Sequence, residues 1–213
     1  MNGSGAGSRR EGIADSAVAT GKGDDGTTGL LYGGRIAKDD ARTDAYGTID
    51  EAVACLGLAR AEIVVLADRE SLPAGLAGLG AMILRLQREL FVAAAELATN
   101  PEAWDRLEDG LTRVDEPMLA GIEELLSSAE AHIEMPREFI VPGASRLSAA
   151  LELSRTVVRR AERRVIALDR EHMVPGAWLL PYLNRLADLL WVLARQAEQA
   201  EGATSTSSRE GPR

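Results

Sequence analysis

The sequence predicts an all-α fold, a five-helix up-and-down bundle, on three observations. Alanine and leucine dominate a hydrophobic fraction of 46%, while aromatic residues make up only 4%, a composition that favours helix over sheet. Apolar residues recur at helical spacing through five separate stretches. The joins between these stretches are short and carry Pro, Gly or Ser, which makes sequential helices antiparallel neighbours. At 213 residues the chain is long enough for one domain with a substantial core.

Residues 1 to 18, rich in Gly, Ser and Ala, are expected to form a disordered tail, and residues 19 to 201 the folded domain. Thr20 to Arg35 contains six glycines, too many for a helix or an ordinary strand. Such a loop is either a flexible linker or a cradle of backbone amides for an anion. It is not a Walker A loop, because Lys22 is followed by glycine.

The first helix is expected from Asp44 to about Asp68, with Ile49, Val53, Leu56 and Ala59 or Arg60 as its apolar stripe. Ser71 and Pro73 end that pattern. A second helix runs from about Leu76 to Thr99, with Gln87, Glu89 and Glu96 facing solvent or neighbouring helices. Asn100-Pro101 stops it, and residues 101 to 114 read as a surface connection with a short helical turn. Asp115 is an N-cap for a third helix reaching about Ile133. His132 reads as a surface histidine, and Phe139, taken alone, as a buried staple in the extended segment Phe139-Ile140-Val141. Ser145 caps a fourth helix to Asp169, and the fifth spans about Trp178 to Gln199 with a bend near Pro181. Residues 202 to 213, rich in Ser, Thr and Gly, are expected to be a disordered tail.

The fourth helix carries five arginines between Arg155 and Arg164, with Glu162 among them, inside a chain of net charge -9. At about 100° per residue, Arg155, Arg159, Glu162 and Arg163 share one flank. A small cationic surface on an acidic protein suits a small anionic ligand and not a nucleic acid, which needs a broad basic footprint. The longest run free of polar side chains, Ala74 to Leu84, falls short of the roughly 18 residues of a membrane span. A lone cysteine, Cys55, in an apolar run fits a reducing compartment. With no apolar signal core near the start, the expectation is a cytoplasmic protein. On the fifth helix, Asn184 and Asp188 are polar residues on an otherwise core-like segment and need partners.

Six segments taken in order carry a resemblance: Thr20 to Leu30, Gly33 to Arg42, A-Y-G-T-I-D-E (Ala45 to Glu51), F-I-V-P-G (Phe139 to Gly143), R-T-V-V-R-R-A-E-R-R (Arg155 to Arg164) and Y-L-N-R-L-A-D (Tyr182 to Asp188). Together they resemble the PduO-type ATP:cob(I)alamin adenosyltransferases over about residues 20 to 197. The resemblance implies a homotrimeric five-helix bundle with its active site between subunits. It also implies ATP and cobalamin as substrates, with Mg2+ accompanying the ATP, and a cobalamin-dependent mutase or a reductase as partner. The implied reaction moves the 5′-deoxyadenosyl group of ATP to Co(I) and releases triphosphate.

By the same resemblance, Thr20, Lys22, Gly23, Asp24, Gly26, Thr27 and Thr28 belong to the loop that wraps the triphosphate. Lys38, Arg159, Glu162 and Asn184 contact the nucleotide, and Asp50 and Arg155 form a pair bridging subunits at the site. Phe139 crowds out the lower cobalt ligand. Arg160 and Arg164 are expected to be solvated or ion-paired, and Arg163, Asp188 and Arg195 to make structural pairs. The sequence departs from the family pattern where Gly21 displaces the lysine to Lys22, at Ala144, and at Glu152, where the family commonly has histidine. A carboxylate there would repel a polyphosphate unless it faces away. A second reading keeps the fold and binding without turnover, as a cobalamin or nucleotide carrier. A third is a ligand-free helical scaffold.

Overall fold

The computed structural model describes residues 16–209; the expected N-terminal tail, save its last three residues, and the final four residues of the C-terminal one lie outside that range. A small hairpin opens the described chain. In it β1 (Thr27–Gly29) pairs antiparallel with β2 (Arg35–Ala37), Thr28 opposite Ile36. Five helices follow: α1 (Ala41–Asp68), α2 (Leu79–Ala98), α3 (Glu116–Glu130), α4 (Arg146–Arg170) and α5 (Leu179–Ala200). Short 3-10 turns at Ala74–Leu76 and Pro101–Arg106 flank α2. Two two-residue strands, β3 (Ile140–Val141) and β4 (Thr206–Ser207), pair antiparallel outside the bundle.

The helix starts are set by local chemistry. Asp40 accepts the Arg42 amide and starts α1 three residues before the expected Asp44. Asp115 accepts the Met118 amide, with Pro117 in the first turn of α3. Ser145 and Ser148 exchange side-chain and backbone bonds in a capping box that opens α4. The start of α2 shifts to Leu79 because Gly78 adopts a left-handed φ of 81°. Pro181 falls in the first turn of α5, where a missing N–H loses no helical bond, so α5 continues unbroken in place of the expected bend.

The core is a seam of Leu, Ile, Val and Ala in which α1 packs on α2 and α4, and α5 packs on α3 and α4. On α1 the buried positions Ala45, Ile49, Ala52, Leu56, Ala59 and Ile63 repeat at three and four residues. Leu183, Leu186, Leu190 and Leu193 on α5 are essentially fully buried, each stabilising the fold by about 1.5–3 kcal/mol. Cys55 is buried as expected, and that burial raises its thiol pKa. Among the described residues no helix is long and apolar enough to cross a membrane.

The hairpin is anchored to the end of α2. Leu31 donates to the Ala98 carbonyl at 2.8 Å and Asn100 donates back to Leu31 at 3.1 Å. The buried Arg42 guanidinium donates to the carbonyls of Leu97, at 2.9 Å, and Thr99. These bonds satisfy carbonyls that the helix end leaves without internal partners, and they fix where the glycine loop leaves the bundle.

Of the three α2 residues expected to face solvent or neighbouring helices, Gln87 and Glu89 reach neighbouring helices and Glu96 reaches two connections. Gln87 donates to the Val53 carbonyl at 2.9 Å, and Glu89 accepts the buried Tyr182 hydroxyl at 3.0 Å. Glu96 is fully buried, accepting the amides of Val114 at 2.8 Å and Gly176 at 3.0 Å and so pinning two connections at once. Burial pushes its carboxyl up to about 7, against the two amide bonds that favour the anion. Because the folded pKa lies above the unfolded one, the folded state holds the proton longer, and stability falls as pH rises from about 4.5 to about 7. The predicted size of this fall is about 3 kcal/mol at most. Urea midpoints of the wild-type chain and Glu96→Gln at pH 5 and pH 8 check it: their difference shifts with pH in this sense, and a constant difference contradicts it.

Candidate active site

The glycine loop is folded back on itself by Arg35. Its Nε donates to Thr27 Oγ1 at 2.8 Å, and its Nη2 donates to the carbonyls of Lys22 at 2.6 Å and Thr27 at 3.1 Å. Asp25 accepts the Thr27 amide at 2.9 Å and hydroxyl at 2.8 Å, which holds its carboxyl below the usual range. Lys38 donates its amide to the Gly26 carbonyl at 2.8 Å. Two glycines are required by this shape. A Cβ on Gly23 would come within 2.9 Å of Lys38 Nζ and 3.2 Å of the Thr27 carbonyl, and Gly26 has a φ of 81°. Thr20, Lys22, Asp24 and Thr28 all belong to this folded loop and its first strand. The Lys22 side chain is exposed.

Arg35, which closes the segment from Thr20 and opens β2, is a site residue that the sequence marks only by its place in G-G-R-I-A-K, directly after two glycines.

The arginines of α4 divide between two flanks. On one, Arg160 pairs with Glu51, and Arg164 with Asp44 at 2.5 Å and with Thr48. Both are ion-paired, as expected. They line a hollow of about 420 Å³ with Lys38, Thr43 and Gly47. On the other flank, Glu162 accepts the Asn184 amide at 3.1 Å, bringing α4 and α5 together through two of the expected site residues. Arg185 donates to Asn184 Oδ1 at 2.8 Å and lies 3.4 Å from Asp188. Arg163 donates to the Arg159 carbonyl at 3.0 Å. The exposed Arg159 guanidinium has no ion-pair or hydrogen-bond partner among the described residues.

Asp50 and Arg155 do not meet within the chain. Asp50 is exposed on α1, while Arg155 Nε donates to Glu152 at 2.6 Å. Glu152 is itself buried, its second oxygen 3.1 Å from Arg195 Nη2, and Arg195 also pairs with buried Glu198 at 2.9 Å. The carboxylate that departs from the family pattern therefore faces inward and is neutralised by two arginines.

Phe139 is 85% exposed, which corrects the buried staple expected from its apolar neighbours. Phe139 directly precedes β3, and its ring projects into solvent while Ile140 beside it is partly buried. Phe139, Ile140, Glu152, Arg155 and Trp191 line a hollow of about 560 Å³. His132 is exposed as expected, its Nδ1 2.6 Å from the Ser128 carbonyl.

The cobalamin adenosyltransferase family profile matches residues 18–197 of this chain. The chain belongs to the cobalamin adenosyltransferase family. It is 36% identical over 181 residues to a corrinoid adenosyltransferase of Citrobacter freundii, covering 85% of this chain and 94% of that relative. With a corrinoid adenosyltransferase of Mycobacterium tuberculosis it shares 38% identity over 182 residues, or 84% of this chain and 88% of the relative. A phenylalanine-to-alanine variant of the PduO-type ATP:corrinoid adenosyltransferase from Lactobacillus reuteri, complexed with cobalamin and ATP, superposes with a TM-score of 0.76 at 27% identity. That match covers 90% of this chain and 98% of the other. In this cobalamin adenosyltransferase family member the matched span begins just before the glycine loop and ends within α5, so it takes in the loop, both flanks of α4 and the Glu162–Asn184 pair.

Proposed function

We propose that the chain transfers the 5′-deoxyadenosyl group of ATP to the Co(I) of a reduced corrinoid, forming adenosylcobalamin and releasing triphosphate. The observation that carries this reading is the second flank of α4. There an unpaired Arg159 stands beside a Glu162 already oriented by Asn184. On this helix Arg155, Arg160 and Arg164 have acidic partners and Arg163 donates to a backbone carbonyl; Arg159 has a free guanidinium among the described residues, which stays cationic and forks onto phosphate oxygens.

The reaction is a displacement at C5′. Co(I) supplies the electron pair for the new Co–C bond, the C5′–O bond breaks, and triphosphate leaves with the bonding pair. The protein needs no nucleophile of its own. It aligns cobalt, C5′ and the leaving oxygen, and it stabilises charge growing on the triphosphate. Arg159 is assigned that second task, Glu162 and Asn184 the orientation of the nucleoside, and the glycine loop with Lys38 the wrapping of the phosphates. Phe139 is assigned the lower face of the corrin, where a projecting apolar ring disfavours the axial nitrogen and eases reduction to Co(I). Magnesium enters on the triphosphate; among the described residues no three His, Cys, Asp or Glu side chains gather into a metal site.

A homotrimer completes this arrangement. Within one chain Lys38 opens onto the Arg160 and Arg164 flank, well round the helix from Arg159 and Glu162. A neighbouring copy brings its loop to the free flank, and its Asp50 to Arg155. Sedimentation at the mass of one chain contradicts this assembly. A reductase must supply the electron that makes Co(I), and a cobalamin-dependent mutase would consume the product. The lone buried thiol suits the reducing cytoplasm.

Anaerobic addition of ATP to the chain with chemically reduced cobalamin tests the function: the Co(I) bands are replaced by those of adenosylcobalamin. A spectral shift with no Co–C bond formed would favour the carrier reading, which loses its support from Glu152 now that this side chain is buried and paired.

Arg35→Ala is predicted to raise the KM for ATP about tenfold, since two to three loop bonds worth about 1 kcal/mol or less each are lost, with a smaller change in kcat. Arg35 is substantially exposed, so the thermal midpoint moves little. Unchanged KM in this variant contradicts a preformed loop.

A further inference from the structure

The segment beyond α5 has no part in the site as described so far, yet it is fastened to that site from two directions. β4 pairs with β3, Ser207 opposite Ile140 and Thr206 opposite Val141. The Ser208 amide donates to the Phe139 carbonyl at 2.8 Å, and the Ser207 hydroxyl to Glu138. Upstream, the Ser205 hydroxyl donates to Glu198 Oε2 at 2.5 Å, and the Ala203 amide to the Glu198 carbonyl at 2.9 Å. From Glu198 the polar contacts continue inward through Arg195 to Glu152, and from Glu152 out to Arg155. The two routes meet at the same hollow, with Phe139, Glu152, Arg155 and Arg209 all on its walls.

The physical need for such a fastening is plain at Phe139. Its ring is 85% exposed, so side-chain packing does little to fix it, and a two-stranded ribbon is marginal without further support. The strand partner and the Ser208 amide are what hold its backbone. Ser205, in turn, hydrogen-bonds a fully buried carboxylate, where a charge-assisted bond is strong and competing water is absent.

We infer that residues 203–209 form a strap, latched by Ser205 on Glu198, that positions Phe139 and Arg155 and thereby sets the corrinoid side of the site while leaving the nucleotide side alone. Ser205, Ser208 and Glu152 are positioning residues that act through their neighbours. The inference rests on the adenosyltransferase reading above.

The test uses the full chain with Ser205→Ala and Ser208→Pro together. The first change removes the latch hydroxyl and the second the amide that holds Phe139. The double variant is expected to raise the KM for reduced corrinoid about fivefold or more and leave the KM for ATP within about twofold. Electron paramagnetic resonance of the bound Co(II) corrinoid, with ATP present, is expected to show a smaller fraction free of the lower axial nitrogen. Ser205→Thr, which keeps the hydroxyl, is expected to behave as wild type. Should the proline prevent folding, Ser205→Ala alone carries the same comparison. An unchanged corrinoid KM and spectrum in the folded variant overturns the strap, as does an equal rise in both KM values, which would mean general loosening. A wild-type chain that forms no adenosylcobalamin overturns the function instead.

Discussion

Arg159→Ala is expected to lower kcat/KM by about 100- to 1,000-fold while the bundle stays folded. Loss of one preorganised charge at the leaving group raises the barrier by about 3–4 kcal/mol. The side chain is exposed and unpaired among the described residues, so its removal breaks nothing structural and the thermal midpoint should stay within a degree or two of wild type. Arg159→Lys should recover only part of the rate, because an ammonium keeps the charge but loses the fork. The paired arginines provide the control. Arg160→Ala breaks only the exposed contact with Glu51, so activity should be nearly retained. A fall at Arg160 as large as that at Arg159 would contradict the division of α4 into two flanks.

The largest expected effect on stability lies at Arg195. It is 1% exposed and holds two buried carboxylates, those of Glu152 and Glu198, with the Trp191 ring 5.7 Å from its guanidinium. Arg195→Leu leaves both anions buried without their shared cation, a loss of about 3–5 kcal/mol. For a domain of this size that lowers the melting temperature by about 10 °C. Replacing all three residues with apolar ones should recover much of this, since burying the charges carries its own desolvation cost. A loss below about 1 kcal/mol in Arg195→Leu would mean that water reaches the cluster and that the three charges are not dry.

These two arginines also show what could be read in advance. The helices were legible because their signals are local: Asp115 and Ser145 lie beside the amides they cap, and the α5 leucines repeat along one stripe. The flank assignment on α4 followed from helical spacing alone, and Glu51 and Asp44 on α1 account for Arg160 and Arg164.

What escaped depends on residues distant in sequence. Glu96 reads as facing solvent or a neighbouring helix, whereas its partners are the Val114 and Gly176 amides of two connections, and nothing near it in sequence announces either. Phe139 reads as buried because Ile140 and Val141 follow it, yet its ring is exposed beside a hollow that α4 and α5 only line. Its partner β4 is two residues in a Ser- and Thr-rich segment, with no alternation to mark it as a strand. Glu152 suggested repulsion of a polyphosphate, and only the packing of α4 on α5 reveals that it turns inward to Arg195.

Adenosyl transfer with triphosphate as the leaving group is tested by counting both products of one anaerobic reaction between ATP and chemically reduced cobalamin. One light-sensitive Co–C bond formed for each intact triphosphate released is the predicted result. Adenosylcobalamin accompanied by another phosphate product in place of triphosphate, or ATP recovered whole beside altered cobalamin spectra, would contradict it.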